Sequence, residues 1–342
     1  MDSRPYAVRA ARTSHSRAPP DRADSSLGAR MHLDQLTPGL ACEALATAGL
    51  RVAPGDVAIE RREGRWLVRL PDARLAWFAA AAEGGRRLAI ERRVLRLLEA
   101  RCGFAAPRIL FEAPGGDFDL RTMVPGSADP WQVYAAARDD TAVAARLGTA
   151  IGEILAEQHT RIRAAEAAAW LPHRLDWPES TAWIEQRLPA VVDDTALLAD
   201  ARRLMAIYES VQTPDADRVL VHGDVGFHNL GIDPTSFAVH GIFDYESPAW
   251  ADRHHDFRYL IFDLDRFDLL DAMRAVYEPA VGRPVSRARV LLYNAACALT
   301  FLAYRVGVPP ESLSCGRTLE QDLRWSRLAV ARALAVDPRE LR

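Results

Sequence analysis

Two short apolar segments of the chain each end in residues that can serve phosphoryl transfer. The segment that ends at Val221 is followed by Asp224 and Asn229, which lie five positions apart. The second segment ends at Asp244, 15 positions after Asn229. One carboxylate can orient a hydroxyl group and accept its proton, while an amide oxygen and a second carboxylate can hold Mg²⁺ on the phosphates of ATP. The spacing therefore predicts the catalytic and metal-binding side of a phosphotransferase site.

A structural alternative is that Asp224 and Asn229 are turn residues that satisfy local backbone groups. The pattern His-x-Asp-x4-Asn arises by chance about once in a hundred chains of this length. However, Asp224 and Asn229 follow an apolar, strand-like segment, and Asp244 ends a second segment of the same kind. This combination favours the phosphotransferase hypothesis.

Composition excludes several other classes of protein. A length of 342 residues predicts about two domains, and a net charge of −3 gives no reason to expect nucleic-acid binding. The chain contains no lysine, so a Walker-A lysine and a Schiff-base lysine are excluded. The four cysteines are far apart, which is typical of a reducing cytoplasm rather than of a zinc or disulfide framework. The apolar stretch 290–304 is too short to cross a membrane and predicts a buried helix.

Three regions follow one another along the chain. Residues 1–30 are rich in Arg, Ser, Ala and Pro, which predicts either a disordered extension or a true translation start at Met31. Residues 33–124 predict an N-terminal lobe built from a helix, a small antiparallel meander, a second helix near 86–101 and two further strands. The break at Pro125-Gly126 separates them from a mostly helical C-terminal region, 125–342.

This order of elements and motifs resembles the aminoglycoside phosphotransferase and choline kinase-like branch of the protein-kinase-like fold. The resemblance covers roughly residues 37–334. It rests on His222-Gly223-Asp224 with Asn229, on Ile242-Phe243-Asp244, and on the acidic positions Asp252 and Asp256. It implies a two-lobed α+β fold, with a small antiparallel sheet and one main helix in the N-lobe and a larger, mostly helical C-lobe.

The resemblance also implies roles for individual residues. Asp224 is the expected catalytic base, His222 braces its loop, and Asp256 holds that loop by hydrogen bonds. Asn229 and Asp244 are the expected Mg²⁺ ligands, and the cofactor is ATP or GTP. The backbone of the hinge segment is expected to contact the nucleotide base through Leu120, Thr122 and Val124.

One part of the family pattern is missing, because kinase-like folds place a lysine on the third strand beside a helix glutamate. Glu91 is the expected glutamate, although it could instead be a surface residue paired with nearby arginines. In one register Arg69 replaces the lysine. In the other, which we prefer, Leu75–Ala79 is the third strand, and Phe78 or Ala79 occupies the lysine position. The missing lysine also motivates an alternative function, a catalytically silent kinase-like protein that binds a ligand or partner.

The expected acceptor is a hydroxyl group on a small molecule, and its identity and the oligomeric state stay open. Acidic residues near 263–271 are either a solvated face or an aid to binding a cationic acceptor such as an aminosugar. His159 is expected to be a core histidine. His254-His255-Asp256 looks like a metal cluster, but adjacent residues on a helix point in different directions, which argues against a transition-metal site.

Overall fold

The structure, a computed structural model, describes residues 35–62, 64–259, 267–314 and 316–341. Contacts within the chain divide these residues into two units. The strand-rich unit contains residues 35–125 and the short segment 240–246, and the helical unit contains 126–239 and the described residues from 247 onward. Asp244 therefore belongs to the strand-rich unit, although it lies far along the chain.

A five-stranded antiparallel sheet forms the centre of the strand-rich unit, with the strand order β1-β2-β3-β5-β4. The strands are β1 Ala58–Arg62, β2 Arg65–Arg69, β3 Arg74–Ala79, β4 Ile109–Glu112 and β5 Phe118–Thr122. The helices are α1 Pro38–Thr47 and α2 Ala82–Arg101. Thr37 caps α1 by accepting a hydrogen bond from the Leu40 N–H, as the Thr37-Pro38 pair predicts. Residues 75–79 lie in the third strand, so the preferred register is confirmed.

Both faces of this sheet are covered, because successive side chains along a strand point to opposite faces. On one face, Val68, Phe78 and Leu120 pack with Leu45 of α1. On the other face, Leu67, Trp77 and Ala79 pack against Leu88 of α2. Each fully buried large apolar side chain of this kind stabilises the fold by about 1.5–3 kcal/mol.

Helix α2 begins at Ala82, one turn before the predicted start near Arg86. Glycine has a low helix propensity, so the sequence with its Gly84-Gly85 pair does not predict this first turn as helix. The structure gives a reason for Gly84, because a Cβ atom there would lie 2.1 Å from the carbonyl oxygen of Gly64. The turn between β1 and β2 can therefore approach the helix closely only if this position lacks a side chain.

The helical unit contains most of the helices and the strands around the predicted catalytic loop. Its helices are α3 Pro130–Asp139, α4 Thr141–Arg161, α5 Ala164–Ala167, α6 Thr181–Arg187, α7 Thr195–Ser210, α8 Phe267–Val281, α9 Arg287–Ala303 and α10 Leu319–Leu334. Its strands include β6 Arg218–Val221, β7 Leu230–Ile232 and β9 Ala249–Asp252, and β8 Val239–Ile242 leads into the segment that carries Asp244. Strand β6 pairs with β9 in antiparallel register.

Close helix packing supports the catalytic part of this unit. Gly148 and Gly152 lie on the face of α4 that meets α8, where a Cβ atom at Gly152 would lie 2.6 Å from the Met273 carbonyl oxygen. Helix α9 is buried along nearly its whole length, as its apolar sequence predicts. The apolar periodicity of residues 256–277 predicts a helix, which is present from Phe267, while residues 260–266 lie outside the described residues. None of the described helices combines the length and apolar character needed to cross a membrane.

Candidate functional site

The loop after β6 brings Asp224 and Asn229 together in the helical unit. The side-chain Nδ2 of Asn229 donates to the backbone oxygen of Asp224 at 2.8 Å and to its carboxylate Oδ2 at 3.1 Å. The Asp224 N–H donates to Nδ1 of His222 at 3.2 Å. Gly223 adopts a left-handed φ of 82°, which lets the chain reverse direction directly after the strand. The His222 imidazole thus accepts a hydrogen bond from within the loop, and the Asn229 amide donates to Asp224 through its nitrogen, which leaves its oxygen unused by these bonds.

His228 is a loop residue whose place the sequence does not reveal. Its Nε2 lies 3.4 Å from Oδ2 of Asp224, and both side chains are 22% exposed. The two residues are four positions apart: Asp224 precedes a short 3₁₀ turn, Phe227–Asn229, and His228 lies within it. The carboxylate expected to act as the base therefore has an imidazole neighbour as well as the Asn229 amide.

Asp256 holds this loop in place, as the family resemblance implies. Its buried carboxylate accepts hydrogen bonds from the N–H groups of His222 at 2.9 Å and Gly223 at 2.7 Å. His159 Nε2 lies 3.1 Å from the same carboxylate, and its Nδ1 lies 2.8 Å from the Tyr277 hydroxyl, so His159 is a core histidine. Burial raises the pKa of Asp256, but the hydrogen bonds from His159 and from the Gly223 N–H outweigh it and hold the pKa below its usual value.

A second brace comes from Arg258, which the sequence analysis did not single out. Its fully buried guanidinium donates from Nη2 to the carbonyl oxygens of Gly223 at 2.7 Å and Trp177 at 3.2 Å. Its Nη1 contacts Nδ1 of His255. Burial and the neighbouring guanidinium lower the pKa of His255 to about 3, so this imidazole is neutral and accepts the bond. The N–H and C=O groups of Gly223 are thus fixed from opposite sides, by Asp256 and by Arg258.

The consecutive histidines serve packing rather than metal binding. His255 stacks on Tyr293 with ring centroids 4.0 Å apart. His254 Nδ1 lies 2.5 Å from Asp252, and its Nε2 accepts the Ser286 N–H at 3.0 Å. Within the described part of the chain, no group of three or more His, Cys, Asp or Glu side chains is arranged to hold a metal ion.

Asp244 has an unusual backbone in the strand-rich unit. Its φ of 68° is left-handed, a conformation that costs a non-glycine residue about 1 kcal/mol. Strained backbone of this kind is concentrated at functional sites. A carboxylate and an amide oxygen are ligands that Mg²⁺ prefers, so the chemistry of Asp244 and Asn229 fits this ion.

Glu91 lies in a buried network of ion pairs in the same unit. Its two carboxylate oxygens pair with Nη1 of Arg65 at 2.9 Å and Nη1 of Arg121 at 2.7 Å. Arg121 also binds Asp119, and Arg65 pairs with Glu246 at 2.5 Å. Although burial raises the pKa of Glu91, the two guanidinium groups lower it more, so the carboxylate stays charged. Glu91 is therefore not a surface residue, and its cation partners come from β2 and β5.

Arg69 does not take the place of the missing lysine beside Glu91, which corrects one of the two registers. Its side chain is about half exposed and approaches Glu60 of β1 at 3.9 Å. Arg65 was overlooked, although strand alternation could have revealed it. It lies on the same face of β2 as Leu67, which packs on Leu88, and Glu91 follows Leu88 by one helical turn.

The hinge candidates lie at the end of β5. Leu120 and Val124 are buried, and Thr122 is partly exposed. The Thr122 N–H donates to the Arg108 carbonyl oxygen at 3.0 Å, and its hydroxyl accepts the Arg108 N–H at 2.9 Å. The Thr122 N–H is therefore not available to a nucleotide base. Contact between a base and the backbone around Val124 stays a prediction.

Comparisons with known proteins agree with this arrangement. A family model described as the phosphotransferase enzyme family matches residues 56–291. Wild-type aminoglycoside 2'-phosphotransferase-IIIa, solved with GDP, is similar with a TM-score of 0.60 and 15% identity over 85% of this chain and 97% of that one. Macrolide 2'-phosphotransferase type I gives a TM-score of 0.53 and 19% identity over 87% and 97% of the two chains.

A further similar structure is a protein from Ralstonia eutropha described as a putative aminoglycoside phosphotransferase. Its TM-score is 0.59, with 18% identity over 87% of this chain and 98% of that one. No curated protein matches the chain. At these identities the structural likeness establishes the fold, and the expected kinase-like α+β architecture is confirmed.

Proposed function

The chain belongs to the phosphotransferase enzyme family, and from this premise we propose that it transfers the γ-phosphoryl group of ATP or GTP to a hydroxyl group of a small molecule. The loop after β6 carries this proposal, because Asp224, Asn229 and His228 meet there and Asp256 fixes the backbone of His222 and Gly223 directly before them. Similar structures support the nucleotide, since they were solved with GDP or with ADP.

Asp224 acts as the catalytic base in this proposal. Its partly exposed carboxylate orients the acceptor hydroxyl for in-line attack and takes the proton late in the transfer. The Asn229 amide donates to one carboxylate oxygen of Asp224 and thereby restricts the orientation of this side chain. Positioning and charge stabilisation account for most of the catalysis in this class of reaction, and the braced loop provides the positioning.

Asn229 and Asp244 are the proposed ligands of Mg²⁺. When bound, the ion would neutralise charge on the phosphate oxygens. Asn229 offers its side-chain oxygen, because its Nδ2 already donates to Asp224. Asp244 offers a carboxylate on strained backbone, which the surrounding fold must maintain.

The acceptor is proposed only as a hydroxyl compound. Some neighbours were solved with kanamycin or gentamicin, and an aminoglycoside is therefore a first candidate. Asp271 is one of the acidic residues that could attract a cationic acceptor. It pairs with Arg287 and Arg274, however, which argues against that role. Cys42, Cys102 and Cys297 form no disulfide bonds, which fits the cytoplasmic location that we propose.

A screen of hydroxyl compounds for ADP or GDP release tests the proposed function. Asp224→Asn is the control, because it keeps the size of the side chain and removes the base. We expect wild-type turnover on at least one acceptor and a decrease in kcat of about 100-fold or more in the variant. Turnover that survives the substitution would contradict the role of Asp224.

The silent alternative makes a different prediction for nucleotide binding. Both carboxylate oxygens of Glu91 are paired with arginines of the protein itself, and this observation favours the alternative. A thermal shift with ATP or GTP, measured with and without Mg²⁺, distinguishes the two functions. A metal-dependent increase in Tm supports the enzyme, while no response to either nucleotide supports the silent protein.

A further inference from the structure

Arg65 lies next to the position where the third strand lacks its lysine. In the β2–β3 pairing, Arg65 is directly opposite Ala79, one of the two residues that the preferred register places at the lysine position. Directly opposite residues of antiparallel strands have Cβ atoms about 4.5–5.5 Å apart, so a side chain from β2 can reach the space that a β3 side chain would fill. The methyl group of Ala79 leaves that space open to the longer arginine.

The Arg65 guanidinium is held in the orientation that this role needs. It lies 4.4 Å from the centre of the Trp77 ring, and its Nη1 pairs with Glu91 at 2.9 Å. Kinase-like folds use a cation paired with the corresponding helix glutamate to contact the nucleotide phosphates. Arg65 therefore has the helix partner of the missing lysine but approaches it from the neighbouring strand.

The second carboxylate partner of Arg65 lies beside the proposed metal ligand. Glu246 follows Asp244 by two residues and accepts from Nη2 of Arg65 at 2.5 Å. Arg87 also approaches Glu246, at 3.4 Å. Burial lowers the pKa of Arg65, but the charges of Glu246, Glu91 and Asp244 outweigh it and raise the pKa above its usual value. In the proposed function Asp244 would help to hold the Mg²⁺ of a bound nucleotide, and a phosphate oxygen of that nucleotide would compete with Glu246 for Nη2 of Arg65.

We propose that Arg65 binds the nucleotide phosphates in place of the absent lysine, that Glu91 positions it, and that Glu246 occupies its Nη2 edge until a phosphate oxygen replaces that carboxylate. The proposal rests on the proposed function, because it requires a nucleotide in the strand-rich unit. Of the 43 basic residues, the proposal identifies Arg65 as the one that binds phosphate. It identifies the Glu246 carboxylate as the group that competes with phosphate for Arg65. If the ion pair between Arg65 and Glu246 were purely structural, removing the Glu246 charge would not strengthen nucleotide binding.

Isothermal titration of the full-length chain with Mg²⁺-ADP and Mg²⁺-GDP tests the exchange. Arg65→Met should weaken binding by about 10- to 100-fold, the loss of one or two charge-assisted hydrogen bonds. Arg65→Lys should bind more tightly than Arg65→Met, because it keeps the charge. Glu246→Gln should bind several-fold more tightly than wild type, because the competing carboxylate is removed. Arg96→Met is the matched control, since Arg96 is a half-exposed residue of α2 paired with Glu112.

The outcomes separate this inference from the proposed function. A wild-type chain that binds neither nucleotide would overturn both. A wild-type chain that binds, with Arg65→Met unchanged from it, would overturn only the role of Arg65. If Arg65→Met does not fold, nucleotide binding by Glu246→Gln still tests the exchange. Equal or weaker nucleotide binding by Glu246→Gln would refute the exchange, because a merely structural carboxylate gives that result.

Discussion

The carboxylate of Asp256 gives the sharpest prediction about stability. Asp256→Asn keeps the size of the side chain but removes its charge and one acceptor oxygen. The wild-type carboxylate is fully buried and meets three donors, the His222 N–H at 2.9 Å, the Gly223 N–H at 2.7 Å and His159 Nε2 at 3.1 Å. An asparagine amide can accept through one oxygen only, so its NH₂ group must face at least one of these donors.

The expected loss follows from these contacts. A hydrogen bond to a charged group contributes about 1.5–3 kcal/mol, and the substitution weakens or removes at least two of them. Burying a neutral amide costs less than burying a carboxylate, which offsets part of the loss. We therefore expect the free energy of unfolding of the helical unit to decrease by about 3 kcal/mol at pH 7. The kcat should decrease as well, because the same bonds position the backbone next to Asp224.

The dependence on pH has a definite sign. The folded-state pKa of Asp256 is lower than its unfolded value of about 3.9. The stabilisation that the Asp256 carboxylate gives to the folded state is therefore fully present above about pH 4. It is lost as the pH falls through the folded-state pKa of this group. The difference between wild type and Asp256→Asn should thus become smaller below about pH 4.

Urea unfolding followed by tryptophan fluorescence and by circular dichroism measures both effects. Asp271→Asn is the control, because Asp271 is a half-exposed carboxylate on α8 whose arginine pairs should contribute less than about 1 kcal/mol. A change below about 0.5 kcal/mol in Asp256→Asn at pH 7 would refute the assigned brace. A difference that grows on acidification would refute the direction of the pKa shift.

Three further predictions concern other contacts. Gly241→Ala should destabilise the strand-rich unit by about 3 kcal/mol, because the new Cβ would lie 1.9 Å from the Ala105 carbonyl oxygen, and an unchanged urea midpoint would contradict this. Glu91→Gln should lower the free energy of unfolding by about 3–5 kcal/mol, since two buried guanidinium groups lose a charged partner, and a loss below about 1 kcal/mol in the same assay would show that the network is dispensable. Tyr277→Phe should cost about 1 kcal/mol by removing the hydroxyl at 2.8 Å from His159, with no loss expected if that bond is absent in solution.

The sequence predicted the catalytic loop because its contacts are local. His222, Asp224 and Asn229 lie within eight residues, and one tight turn brings them together. Asp256 was also found, although only through the family resemblance, since it reaches back over 34 positions to His222. The convergence of Asp244 with this loop stays a prediction.

The cation partners of Glu91 could not be found in the same way. Arg65 and Arg121 lie 26 and 30 positions from it in opposite directions along the chain, and only the sheet order β2-β3-β5 brings both to one helix. Arg258 was missed for a different reason. A buried arginine that bonds mainly to backbone carbonyl groups has no sequence signature, because those partners can be any residue.

The choice of arginine in the buried network has a consequence for alkaline conditions. A lysine enclosed to the same degree releases its proton readily, so an ammonium–carboxylate pair can fail as the pH rises. The guanidinium groups of Arg65 and Arg121 have pKa values above even the ordinary arginine value, since their carboxylate partners outweigh burial. Base can therefore not discharge these cations, and titration can remove the ion pairs of this network only on the acid side, by protonating Glu91 and the other carboxylates.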